Sequence, residues 1–121
     1  MADPTPRLTT HVLDTAAGRP AAGVRLTVWR LVDGEEPVVV ATAITDADGR
    51  TDEPLLSGSD FTPGTYEILF EVGEHFATSD SSAGSPPFLD RVPVRFHTDA
   101  DSHLHVPLLV TPWSYSTYRG S

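Results

Sequence analysis

The chain has 121 residues, 39% of them hydrophobic, with 11 Pro, 9 Gly, no Cys and a formal net charge of −9. That length holds one domain with a real core and is too short for two ordinary ones. The acidity argues against nucleic acid or an anionic membrane as main partner, the missing Cys excludes a disulfide framework and a thiolate nucleophile, and no apolar run approaches a membrane span.

Residues 1–7 read as a flexible lead-in. Met1 to Pro6 holds an acid and two prolines without an apolar stretch, so no signal peptide is expected and the cytoplasm is the expected compartment. Leu8 to Asp14 is β-prone and predicts a first strand carrying His11, and Thr15 to Gly23 predicts a turn-rich connection. Val24 to Leu31 alternates, with Val24, Leu26, Val28 and Arg30 on one side. Asp33-Gly34 marks a hairpin turn into a third strand over Pro37 to Thr45.

Asp46-Ala47-Asp48-Gly49-Arg50 is the next turn, followed by a loop with one short strand over Thr51 to Thr62. Thr65 to Val72 predicts a strand with Tyr66, Ile68, Phe70 and Val72 inward, then Gly73 to Ser79 a short helix and Ser81 to Pro87 a loop. Phe88 to His97 is a strand, interrupted or edged at Pro93. Beyond it His103 and His105 alternate with Leu104 and Val106, which sends both imidazoles to one face of a strand. Pro107 and Pro112 bracket a short run, Leu108 to Val110. Trp113 to Tyr118 is strand-like, so the tail that follows is expected to be tied down. Seven or eight short strands, spaced about 8–12 residues apart with turn signals between, predict an all-β sandwich or barrel, a single domain over 8–121.

Four blocks stand out: Thr10-His11-Val12-Leu13-Asp14, Thr45-Asp46-Ala47-Asp48-Gly49-Arg50, the H-x-H-V-P-L-L run from His103 to Leu109, and the terminal Tyr118-Arg119-Gly120-Ser121. In this order and spacing they resemble the motifs of the 5-hydroxyisourate hydrolases, the transthyretin-related enzymes of urate breakdown. The resemblance runs from about Thr9 to Ser121. It implies a transthyretin-like two-sheet β-sandwich of about eight strands with one short helix, assembled as a homotetramer, a dimer of dimers, around a central channel. It also implies opening of the 5-hydroxyisourate ring to 2-oxo-4-hydroxy-4-carboxy-5-ureidoimidazoline. In that reaction His11 and His105 are catalytic, while His11, Arg50, Tyr118 and Ser121 bind substrate. His103 and Arg119 are supporting, and no metal or organic cofactor is implied.

Such a reaction calls for these residue types. Opening a lactam with water needs a group to take the water's proton, and an imidazole titrating near neutrality suits that. The carbonyl oxygen becomes an oxyanion and needs donors or positive charge. A guanidinium offers a planar fork for an imide or urea-like edge, and a phenol adds one point contact. Each residue has a plainer reading alone: a single His on a strand is ordinarily solvated, and an Arg after an Asp-Gly turn ordinarily faces water. His75 and His97 fall outside the four blocks and read as structural or surface residues. Two alternatives stay open at this level. One is a thyroid-hormone carrier of the transthyretin branch, which lacks the Y-R-G-S ending. The other is a zinc site built on His103 and His105 with His97 or His11.

Overall fold

The computed structural model describes residues 5–79 and 86–120. The described residues form eleven short strands, β1 (Arg7–Thr9), β2 (Val12–Asp14), β3 (Arg19–Pro20), β4 (Arg25–Leu31), β5 (Val38–Ile44), β6 (Leu56–Ser57), β7 (Gly64–Phe70), β8 (Val92–Thr98), β9 (Leu104–His105), β10 (Leu108–Val110) and β11 (Tyr115–Thr117), with one α-helix, α1 (Val72–Ser79), and a 3-10 turn at Gly58–Asp60. They form a β-sandwich. One layer is the antiparallel sheet β5-β4-β7-β8. The other consists of two short sheets end to end, β6-β1-β9 and β11-β10-β2-β3.

The second layer is broken for a local reason. Pro107 has no N–H to give, so the strand that begins at Leu104 stops before it and resumes at Leu108. On the neighbouring strand the break falls at Thr10 and His11, where the buried Thr10 hydroxyl donates to the Val106 carbonyl at 2.7 Å. Backbone bonds bridge the gap, from Val106 N–H to the Thr9 carbonyl and from Leu108 N–H to the His11 carbonyl, both 2.9 Å. The single strand predicted over Leu8 to Asp14 is therefore two, and His11 lies in the interruption between them. Arg7, read with the lead-in, is paired with Ser57 in β1.

Between the layers the alternating residues meet. Leu26 and Val28 of β4 and Tyr66, Ile68 and Phe70 of β7 share one buried cluster with Leu8, Val12, Leu104, Leu108 and Val110 of the broken layer. Val72 ends the inward alternation and also opens α1, since Val72 and Phe76, four residues apart, lie on one buried helix face. His75 of α1 reaches β2, with Nε2 2.9 Å from Asp14 Oδ2, so the helix is pinned to the layer that carries the motif residues. The loop read at Ser81 to Pro87 falls outside the described residues up to Ser85.

Candidate active site

The floor of the site is the parallel pairing of β1 with β9, in which Thr9 stands opposite His105. Because residues of one parity share a face, His103 and His105 project together. The Thr9 hydroxyl meets both, at 2.7 Å from His103 Nε2 and 2.9 Å from His105 Nδ1. His105 is half-buried and His103 exposed.

The chain's tail holds His105 from the other side. Gly120 N–H donates to the His105 carbonyl at 2.7 Å and His105 N–H donates back at 3.3 Å, an isolated antiparallel bridge. A Cβ at Gly120 would lie 2.9 Å from the His105 Cβ, so this closeness needs glycine. The tail is tied down, as its sequence suggests.

The turn before Arg50 supplies the opposite wall. Asp46 Oδ1 accepts from the backbone N–H groups of Asp48 (2.8 Å) and Arg50 (3.2 Å), and Asp46 N–H donates to the Arg50 carbonyl at 2.7 Å. Gly49 has φ +77°, and its carbonyl accepts from Val12 N–H at 2.8 Å, which seats the turn against β2. That contact places His11 beside the turn. Its Nε2 is 2.8 Å from the Asp48 carbonyl oxygen. A carbonyl only accepts, so Nε2 carries the proton and the neutral ring keeps its lone pair on Nδ1.

A cleft of about 440 Å³ lies over this floor, lined by Thr9, Thr10, His103, His105 and the segment 50–54. Arg50 is exposed, and among the described residues no carboxylate is paired with its guanidinium. His11 is not itself part of the cleft wall. The His105 imidazole is held below its ordinary pKa of 6.5, first by burial and then by the charges of Arg50, His11 and His103. Two imidazoles and one guanidinium thus bear on a third imidazole, the neutral form of which is favoured at neutral pH.

Not every residue singled out from sequence joins this cleft. Tyr118 is exposed and lines another cleft of about 220 Å³ with Arg119, between Val94 to His97 of β8 and Leu104 of β9. Within one chain the structure does not bring Tyr118 to His105. Ser121 lies outside the described residues. His97 is held by Thr65, Oγ1 to Nδ1 at 2.7 Å, and His75 by Asp14. Among the described residues no group of three or more His, Asp or Glu side chains is placed to hold a metal ion. Sequence reasoning missed Thr9, which touches both imidazoles, and Asp52 and Glu53 in the cleft wall.

The family profile described as HIUase/Transthyretin matches residues 8–120. A 5-hydroxyisourate hydrolase from Deinococcus radiodurans is 54% identical over 117 residues, covering 96% of this chain and 97% of its own length. Among solved structures, an (S)-allantoin synthase superposes with a TM-score of 0.90 at 48% identity, covering 98% of this chain, while this chain spans 45% of that longer protein. Sea bream transthyretin in complex with thyroxine superposes with a TM-score of 0.82 at 28% identity, covering 94% of each chain. With a profile match along nearly its whole length, the chain belongs to the HIUase/Transthyretin family.

Proposed function

We infer that this protein is a hydrolase that opens the ring of 5-hydroxyisourate to 2-oxo-4-hydroxy-4-carboxy-5-ureidoimidazoline, a step of urate catabolism. The observation that carries the reading is the shared cleft of His105, His103 and Arg50, in a chain 54% identical to a 5-hydroxyisourate hydrolase. His11 and His105 position a water and take its proton as its oxygen attacks the lactam carbonyl carbon. The carbonyl oxygen becomes an oxyanion, and the Arg50 guanidinium is the charge available to it. The C–N bond then breaks, the nitrogen takes a proton, and the new carboxylate is again a partner for Arg50.

Tyr118 and Ser121 are assigned to substrate binding and closure of the pocket. Because Tyr118 lines a different cleft of its own chain, that role requires a second copy to bring it to the ring. A homotetramer, a dimer of dimers, supplies one, and the exposed Trp113, Tyr115 and Tyr118 give it apolar surface to bury. Light scattering that reads a monomer would remove Tyr118 from the site. The reading needs no metal or organic cofactor, and its setting is the cytoplasm.

The test is the ultraviolet decay of freshly generated 5-hydroxyisourate. The protein should accelerate it, and an unaccelerated decay would overturn the assignment. The likeness to a thyroxine-bound transthyretin favours one rival, a carrier. Tight thyroxine binding in a fluorescence titration, with no hydrolysis, would establish it instead.

A further inference from the structure

The Thr9 hydroxyl lies between two imidazole nitrogens, and a hydroxyl has a single proton to donate. It cannot donate to both rings. At least one of the two must therefore present an N–H to it. When Thr9 donates to His103 Nε2, it accepts from His105 Nδ1–H, and the lone pair of His105 is left on Nε2. When Thr9 donates to His105 Nδ1, the proton of neutral His105 sits on Nε2, and that ring is a donor. The tautomers of His103 and His105 are thus coupled through one oxygen.

We propose that Thr9 is a positioning residue for the hydrolysis, setting the tautomer of His105 and handing on to His103 the proton that His105 takes from water. This rests on the hydrolytic reading above, with His105 as the base. The proton count closes. At the start His105 holds Nδ1–H, Thr9 holds O–H, and His103 offers Nε2 as a lone pair. Water gives a proton to His105 Nε2. The Nδ1 proton then moves to the Thr9 oxygen while the Thr9 proton moves to His103 Nε2. His105 ends neutral with Nε2–H, now a donor for the departing nitrogen, Thr9 ends unchanged, and the positive charge rests on His103.

Solvation gives the transfer its direction. His103 is exposed and His105 half-buried, so an imidazolium is better hydrated at His103. Arg50 lines the same cleft and repels a charge left on His105.

The experiment compares Thr9→Val, which keeps the shape and removes the hydroxyl, with Thr9→Ser, which keeps the hydroxyl. Thr9→Val should lower kcat about 10-fold or more with KM within about two-fold, part of the roughly 10²–10⁴-fold that a positioned base supplies. Thr9→Ser should recover kcat to within about three-fold of the parent. His103→Gln should lower kcat similarly, and adding it to Thr9→Val should cost little more, because both cut one relay. Imidazole ¹⁵N spectra report the tautomer directly and do not depend on which substrate is turned over. His105 should read as the Nδ1–H form in the parent and as a mixture in Thr9→Val. A parental kcat in Thr9→Val, losses that multiply in the double variant, or an unchanged His105 tautomer would overturn the relay. If Thr9→Val does not fold, His103→Gln decides alone, and a parental kcat there overturns it. A parent with no activity would sink the hydrolytic reading and leave the spectra to judge the coupling.

Discussion

Replacing Gly120 with Ala tests how the tail acts on the site. Carbon atoms in contact sit about 3.5–4.0 Å apart. The added Cβ would meet the His105 Cβ at 2.9 Å, and the His105 Cδ2 and carbonyl oxygen at 3.1 Å. The two segments must separate by about half an ångström, which stretches the bridge from Gly120 N–H to the His105 carbonyl. Misplacement of a catalytic group by about 1 Å can cost roughly 100-fold in rate, so half of that predicts a loss of about 10-fold in kcat/KM. The fold should suffer much less, because the bridge is isolated at the end of the chain and one such hydrogen bond is worth about 1 kcal/mol.

Gly34→Ala is the control. Gly34 has φ +78° and nothing within 4 Å of an added Cβ, so that change costs about 1–2 kcal/mol of stability from the left-handed backbone alone and leaves the site untouched. The assay is 5-hydroxyisourate decay beside thermal unfolding for both variants. Parental kcat/KM in Gly120→Ala, or equal losses of rate in the two variants, would refute the reasoning.

Other changes probe other links. His11→Ala should cost about 100-fold or more in kcat if that imidazole shares the base role, and an unchanged rate removes it. Burial and Arg50 hold His105 below 6.5, so the acid limb of the pH–kcat profile should lie below pH 6.5, and Arg50→Gln should move it upward. The same shift means that the unfolded chain binds more protons than the folded one between the folded pKa and 6.5; stability should fall as pH drops through that window, as denaturant titrations would show. Thr45→Val removes a buried hydroxyl that donates to the Ala21 carbonyl at 2.7 Å and accepts from Val24 N–H at 2.9 Å, and should cost about 2–4 kcal/mol in urea unfolding. His75→Ala leaves the mostly buried Asp14 carboxylate without its imidazole and should cost about 2–3 kcal/mol with little change in kcat.

What the sequence makes legible is what local chemistry controls. The alternation from Val24 to Leu31 and from Tyr66 to Phe70 sets burial in β4 and β7, and the prolines at 107 and 112 bracket β10 as expected. The Asp46 to Arg50 turn declares itself because Asp46 caps its own backbone and Gly49 adopts positive φ. The interruption at Thr10 and His11 is not legible, since it depends on a hydroxyl bond to a carbonyl 96 residues away. Thr9 escaped for the same reason: its partners lie 94 and 96 residues along the chain, and only the parallel register of β1 with β9 brings them together. Asp52 and Glu53 line the cleft with Thr9 and His105, residues more than 40 positions away on either side, a proximity that only the fold creates. Tyr118 shows the opposite limit, for within its own chain it lines a different cleft from the one that His103, His105 and Arg50 share.

The central claim is that side chains from distant parts of the chain act on one substrate in one cleft. A double-variant cycle of His105→Ala and Arg50→Gln, read as kcat/KM for 5-hydroxyisourate, tests it most directly. Groups sharing a transition state should be coupled, with the double variant losing at least about 10-fold less than the product of the single losses. Single losses that multiply in full would mean that the imidazole and the guanidinium do not serve the same reacting center, and would contradict the account.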